Sequence, residues 1–214
     1  MLSPKFSELD LAERLARRLN HVFISQVKSG IVIGVGDDAA VLEYTKQKYL
    51  LFTADMLLED VDFTSSVKAQ ELGHKALACS LSDIAAMGGV PKYAVVSLAL
   101  PKAGLEKFIN KFYSGMLRLA RKFKVSIVGG DLSFSKKIVI DVSLIGEVDK
   151  KKLILRSTAK PADIIFVSGP LGGSVYGRHL RFVPPLEKSA YLVSNYRVSS
   201  MIDISDGLSI DLYR

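Results

Sequence analysis

The chain has one cysteine, Cys79, among 214 residues. A single thiol excludes an internal disulfide and any cysteine-based zinc site. Histidine is also scarce. His21, His74 and His179 lie at no metal-ligand spacing, so each reads as a surface or satisfied core side chain. No apolar run reaches the roughly 18 residues of a membrane span. The start, Met1-Leu2-Ser3-Pro4-Lys5, has no apolar signal-peptide region. A soluble cytoplasmic protein is the expectation. Asn and Gln occur three times each, a weak thermophile trait. Repeats and low-complexity tracts are missing as well.

Hydrophobic residues make up 49% of the chain, enough for a sizeable core. The formal net charge of +7 suits an anionic partner, nucleotide or nucleic acid. The cations are scattered, however. The densest groups, Arg118 to Lys124 and Lys150-Lys151-Lys152, read as a helix face and a turn. No aromatic residues interleave with them to form a stacking platform for single strands. Nucleic acid and membrane are therefore not the expected partners.

Ser7-Glu8-Leu9-Asp10 resembles a helix start, and Leu9, Leu11, Leu15 and Leu19 form a helical stripe. Strands are expected at 31–35, 41–44, 49–52, 93–100, 125–128 and 138–148, and short ones at 153–155 and 164–168. Residues 68–87 read as a helix with a small-residue face. Leu105, Phe108, Ile109, Phe112, Met116, Leu119 and Phe123 recur every three or four positions, which predicts an amphipathic helix over 105–123. Further helical segments fit 174–179, 185–194 and the residues from Leu208. The mixture lacks strict βαβ alternation, so the fold class is α+β. A domain boundary is expected near Asp149, giving an N-terminal domain over 1–148. Residues 149–214 read as the start of a second, incomplete α/β domain.

Six aspartates sit in short Gly/Ser/Ala-rich segments. They are Asp38, Asp55, Asp83, Asp131, Asp203 and Asp206. Several are flanked by apolar runs, where a carboxylate cannot stay ionised without a partner. If they converge, they form a cage of hard oxygen ligands suited to Mg²⁺, and hence to polyphosphate chemistry. Any one of them alone is explained by a turn or a helix cap. Competing motifs fail on their details. Gly172 to His179 lacks the Lys-Ser/Thr pair of a phosphate-binding loop, and Gly34-Val35-Gly36 lacks the third glycine of a dinucleotide fingerprint. The Asp203 to Gly207 stretch lacks the downstream glutamate of a calcium loop. Ser82 and Ser205 have no histidine base near them in sequence.

Taken together, the motifs resemble the thiamine-monophosphate kinases. The resemblance is carried by Gly34 to Val41, Thr53-Ala54-Asp55, Lys75 to Pro91, Gly129-Gly130-Asp131, Leu153 to Ser157 and Ile202 to Leu208. Within the wider aminoimidazole ribonucleotide synthetase-like superfamily, Gly36-Asp37-Asp38-Ala39-Ala40-Val41 looks most like this group. The resemblance implies an N-terminal four-stranded sheet with helices on one face, pairing across a homodimer into a barrel-like double sheet. It places Asp38, Thr53, Ala54 (through its backbone), Asp55, Asp83, Asp131, Asp203 and Asp206 on Mg²⁺ positions. It places Gly130, Asp131, Arg156 and Ser205 on ATP positions. The chain departs from the pattern at Ala54, where a hydroxyl is usual. It departs again at Asp62, which stands where the family has a substrate-contacting histidine.

The implied reaction moves the γ-phosphoryl group of ATP onto the phosphate of thiamine monophosphate. The acceptor is already anionic, so no protein nucleophile or base is needed. The obstacle is repulsion between two polyanions, which Mg²⁺ offsets. Arg156 would steady phosphates with its planar fork, and Gly129 and Gly130 would permit close backbone approach. Two alternatives remain open at this point: another small-molecule kinase or synthetase of the superfamily, and a non-catalytic dimeric nucleotide- or metal-binding remnant.

Overall fold

The computed structural model describes residues 10–12, 14–19 and 30–213. Residues 10–12 and 14–19 are helical, and the predicted start at Ser7 to Leu9 and His21 lie outside the described residues. Six strands form one sheet: β1 (Ile31–Ile33), β2 (Ala40–Glu43), β3 (Lys48–Leu58), β4 (Val90–Leu100), β5 (Ser126–Phe134) and β6 (Val139–Asp149). Their order is β1-β2-β3-β6-β4-β5. Only the β4–β5 pair is parallel. Its crossover carries helix α2 (Leu105–Phe123), as a parallel connection requires. Helix α1 (Ala69–Ala86) joins β3 to β4.

The sheet thus has six strands, at the six longer stretches read as strands, where the resemblance implied four. The two additional strands, β1 and β2, are short and extend the β3 edge. Strands β3 and β5 run further than their apolar stretches suggest. β3 pairs with β6 from Lys48↔Asp149 to Leu58↔Val139 without interruption. Backbone pairing is indifferent to side-chain polarity, so the ladder continues through Thr53-Ala54-Asp55. In the same way β5 continues through Gly129-Gly130-Asp131 alongside Val95, Val96 and Ser97.

Period-two alternation decides which side chains face the helices. Leu51, Thr53 and Leu57 of β3 are buried, as are Ala94, Val96, Leu98 and Leu100 of β4, and Ile140, Val142 and Leu144 of β6. They meet Leu77, Leu81 and Ile84 of α1, with Phe112 and Met116 of α2 beyond. Fully burying each such side chain contributes about 2 kcal/mol. The helices cross closely because of two glycines. A Cβ on Gly73 would lie 1.9 Å from the Phe112 carbonyl oxygen, and one on Gly115 would lie 1.9 Å from that of Gln70. Among the described residues nothing covers the opposite face of the sheet, where Phe52, Met56, Tyr93 and Val95 are exposed.

Residues 150–213 contain two 3₁₀ turns, Arg156–Thr158 and Ser174–Tyr176. They also contain α3 (Arg178–Arg181), α4 (Leu186–Asn195) and α5 (Leu208–Tyr213). The strands expected at 153–155 and 164–168 do not form. An apolar run becomes a strand only beside another strand, and neither run has one here. Ile164 and Phe166 are consequently 78% and 86% exposed.

Candidate active site

Three stretches of the first region and one of the second bring carboxyl groups together. Asp38 lies in the loop between β1 and β2. Asp55 is on the helix-facing side of β3, in register with the buried Val142. Asp83 is in the last turns of α1. Asp203 lies on the extended segment between α4 and α5. These four form one electrostatic unit: Asp203 raises the proton affinity of Asp38, Asp55, Asp203 and Asp38 raise that of Asp83, and Asp55 raises that of Asp203.

Burial is the first cause of that rise at every one of them. Asp38 is pushed up to about 7, chiefly by burial and then by the Asp203 and Asp37 charges. Asp83 is raised by burial, then by Asp55 and Asp203. Asp55 is raised by burial first, with contacts to Ser80 and Asp83 offsetting part of the rise and the Asp141 charge adding to it. Hydroxyl groups support the unit. Thr53 Oγ1 donates to Asp83 Oδ2 at 2.5 Å, and Ser80 Oγ donates to Asp55 Oδ2 at 2.6 Å. Ser82 hydrogen-bonds Asp203. Asp38 Oδ2 is buried with no hydrogen-bond partner among the described residues.

Such a set is an acceptor site awaiting positive charge. Its donors are hard oxygens, which suit Mg²⁺ over softer metals. Among the described residues no three acidic, Cys or His side chains already converge as a metal cage. Mg²⁺ does not need one, since it takes one or two carboxylates and fills its remaining positions with water and phosphate oxygens. The unpartnered Asp38 oxygen and the raised proton affinities of Asp55 and Asp83 are what a cation would satisfy and reverse.

The remaining predicted site residues are placed differently. Asp206 adds to the charge around Asp203, and Ser205 Oγ donates to Asp206 Oδ2 at 3.2 Å. Arg156 Nη1 lies 3.8 Å from Asp38 Oδ1. The side chain of Ala54 is on the uncovered face, leaving only its backbone for the site. Asp131 pairs with Ser97 in β4, which pairs in turn with Asp141 in β6, so it belongs to the uncovered face too. Gly130 occupies the row of Val96, where a Cβ would lie 1.9 Å from the Val96 oxygen, so the strand itself requires glycine there. Asp62 uses its carboxylate to accept the Leu58 N–H at 2.7 Å.

Sequence reasoning missed several residues that shape this site. Asp211 Oδ2 accepts the N–H groups of Ser205, Asp206 and Gly207 at 3.1, 3.2 and 3.1 Å, which folds the loop after Asp203. Its spacing from Asp206 was the available signal. Lys75 Nζ, largely buried, donates to the Asp62 carbonyl at 2.7 Å and to His179 Nδ1 at 3.2 Å. His74 Nε2 reaches the Phe182 carbonyl at 2.7 Å. Cys79 is inert: burial, then Asp55, pushes its thiol up to about 12.

Comparison with known proteins matches residues 36–148 to the family described as AIR synthase related protein, N-terminal domain. The thiamine-monophosphate kinase of Rhodopirellula baltica is 41% identical over 193 residues, covering 86% of this chain and 60% of its own. That of Bacillus subtilis is 36% identical over 229 residues, covering 96% and 68%. A solved structure described as AaThiL complexed with AMPPCP and TMP superposes with a TM-score of 0.82 at 30% identity. It covers 99% of this chain and 71% of that one. The chain therefore spans between about three-fifths and two-thirds of the length of these two curated relatives.

Proposed function

Because the chain belongs to the thiamine-monophosphate kinase family, we propose that its acidic centre serves ATP-dependent phosphorylation of thiamine monophosphate to thiamine diphosphate. The observation that carries this reading is the group Asp38, Asp55, Asp83 and Asp203, each raised toward its protonated form first by burial and then by neighbouring carboxylates. Four buried carboxyls facing one another gain nothing for stability, and they become useful when cations arrive. Support comes also from the neighbouring complex with an ATP analogue and TMP.

In this reading Asp38, Asp55, Asp83 and Asp203 hold Mg²⁺, with Asp206, Thr53 and the Ala54 backbone beside them. Bound Mg²⁺ would screen the charge of the two phosphate groups that must meet. Mg²⁺ held there would favour the ionised forms of Asp55 and Asp83. Thr53 and Ser80 then fix the direction of each carboxylate through hydroxyl donors. Arg156, whose guanidinium lies beside Asp38, turns toward a nucleotide phosphate. Gly130 and Ser205 complete the ATP site, Asp62 stands at the acceptor side, and Asp131, on the uncovered face of the sheet, is not assigned to this centre. No side chain attacks phosphorus, since the acceptor phosphate oxygen does so itself. Residues 1–148 form the dimerising ATP- and Mg²⁺-binding domain, and 149–214 contribute part of a second one. A second copy covers the open sheet face, whose exposed Phe52, Met56, Tyr93 and Val95 suit a homodimer interface. A cytoplasmic site of action fits the substrates.

Calorimetry of ATP binding with and without Mg²⁺ tests the reading. ATP should bind only with Mg²⁺, and Asp83→Asn should abolish that dependence. ATP binding indifferent to both Mg²⁺ and Asp83 would overturn it. Thiamine diphosphate formation from ATP and thiamine monophosphate then tests the acceptor.

A further inference from the structure

We propose that Asp37, the unassigned neighbour of Asp38, is a positioning residue that joins the two halves of the acidic centre without itself holding a cation. Its two carboxylate oxygens are divided between two backbone donors. Oδ1 accepts the N–H of Asp38 at 2.9 Å. Oδ2 accepts the N–H of Arg156 at 3.2 Å, from a residue 119 positions away. Arg156 closes the grip from its own side, because Nε donates to the Gly36 carbonyl at 2.8 Å.

The chain of contacts continues toward Asp203. The Arg156 carbonyl accepts from Ser200 Oγ at 2.8 Å. Thr158 Oγ1 donates to the Ser199 carbonyl at 2.6 Å. An unbroken series of hydrogen bonds thus links the Asp38 amide, through Asp37 and Arg156, to the segment that delivers Asp203. Asp38 and Asp203 belong to different regions of the molecule, and no strand ladder connects them. Asp37 is the point where both are tied. Its charge opposes ionisation of Asp38, so its benefit lies in geometry. The functional readout of this inference rests on the function proposed above, while its structural readout does not.

Two variants separate geometry from charge. Asp37→Asn can accept only one of the two N–H groups, because its amide nitrogen is a donor. Asp37→Glu keeps the charge but moves both oxygens by a methylene. Hydrogen exchange of the metal-free chain is measured first, with the β3 amides as the control for folding. In both variants the Asp38 or Arg156 amide should exchange at least about tenfold faster while β3 is unchanged. Mg²⁺ affinity by calorimetry should then fall about 10- to 100-fold in both, the range for a group that orients a ligand. The proposal is overturned if Asp37→Glu binds Mg²⁺ like the wild type or if neither amide changes. A wild-type chain that ignores Mg²⁺ would count against the proposed function alone, and the exchange data would still decide the role of Asp37.

Discussion

Residues 31–149 and residues 150–213 are built on different principles. The first region is a ladder: every strand from β1 to β6 has a hydrogen-bonded neighbour, and two helices close one face. The second has no strand, and Ile164, Phe166 and Tyr176 lie open. It is held to the first by the packing of Leu186, Leu153, Leu155 and Phe182 on the edge of the core and by individual polar contacts. These include Ser189 Oγ on the Ala85 carbonyl, His74 on Phe182, Lys75 on His179 and Arg181 on Glu71. The acidic centre takes three carboxyls from the ladder and one from the tethered region. Fold stability and assembly of the centre are therefore separable properties, and variants should sort into those that unfold the ladder and those that only disperse the centre.

The largest effect is expected in the ladder. Phe112 is fully buried between the helices and the sheet. Phe112→Ala should cost about 3–5 kcal/mol in urea unfolding, the range for a large core aromatic. A loss below about 1 kcal/mol would mean that the helix layer contributes little, and the contrast between the regions would collapse.

Proton linkage gives the next effect and reaches across both regions. The folded chain holds protons on Asp38, Asp83 and Asp203 that the unfolded chain releases near pH 4. Between that pH and the raised folded values the native state binds more protons, so stability falls as pH rises. The metal-free melting temperature should drop by roughly 5–10 °C from pH 5 to pH 8. Mg²⁺ should reverse the drop at pH 8, because it replaces the protons. Asp83→Asn should flatten the slope and remove the Mg²⁺ response together. A melting curve that rises from pH 5 to pH 8 without metal would refute the buried-acid assignment.

The tethers should matter less for global stability and more for the second region alone. Ser189→Ala removes a buried donor from the Ala85 carbonyl. The expected cost is about 1–2 kcal/mol, seen as faster hydrogen exchange in α4 while β3, β4 and β6 stay protected. Equal loosening of the sheet would show that the two regions unfold as one unit.

How far the sequence could be read follows the same division. The helix over 105–123 was legible because its apolar positions recur with helical period and its register is set locally. Asp38, Asp55, Asp83 and Asp203 were legible because acids in small, apolar settings have few structural excuses. Asp131 was read by the same rule, yet strand alternation turns it to the uncovered face, and that parity depends on a register with β4 that no local pattern states. The apolar runs at 153–155 and 164–168 suggested strands, but a strand needs a neighbour and composition does not supply one. Asp37 stands beside Asp38 in the same motif, and only the fold shows that its carboxylate goes to the Asp38 and Arg156 amides. Asp211 was not singled out, because its partners are backbone N–H groups brought to it by the loop.

The smallest expected effect sharpens the comparison most. Ile164 and Phe166 are apolar and 78% and 86% exposed. Exposed side chains away from caps, cavities and buried networks usually change stability by no more than about 0.5 kcal/mol. Ile164→Ser combined with Phe166→Ser should therefore leave the unfolding midpoint and the Mg²⁺ response within that margin, while Phe112→Ala moves the midpoint strongly. Differential scanning fluorimetry across a tenfold range of protein concentration checks both points. If the double variant loses more than about 1 kcal/mol, these side chains are packed in solution and the second region is not merely tethered. If the loss appears only at high protein concentration, the apolar run is covered by another copy of the chain, and the contrast between the two regions is one that assembly removes.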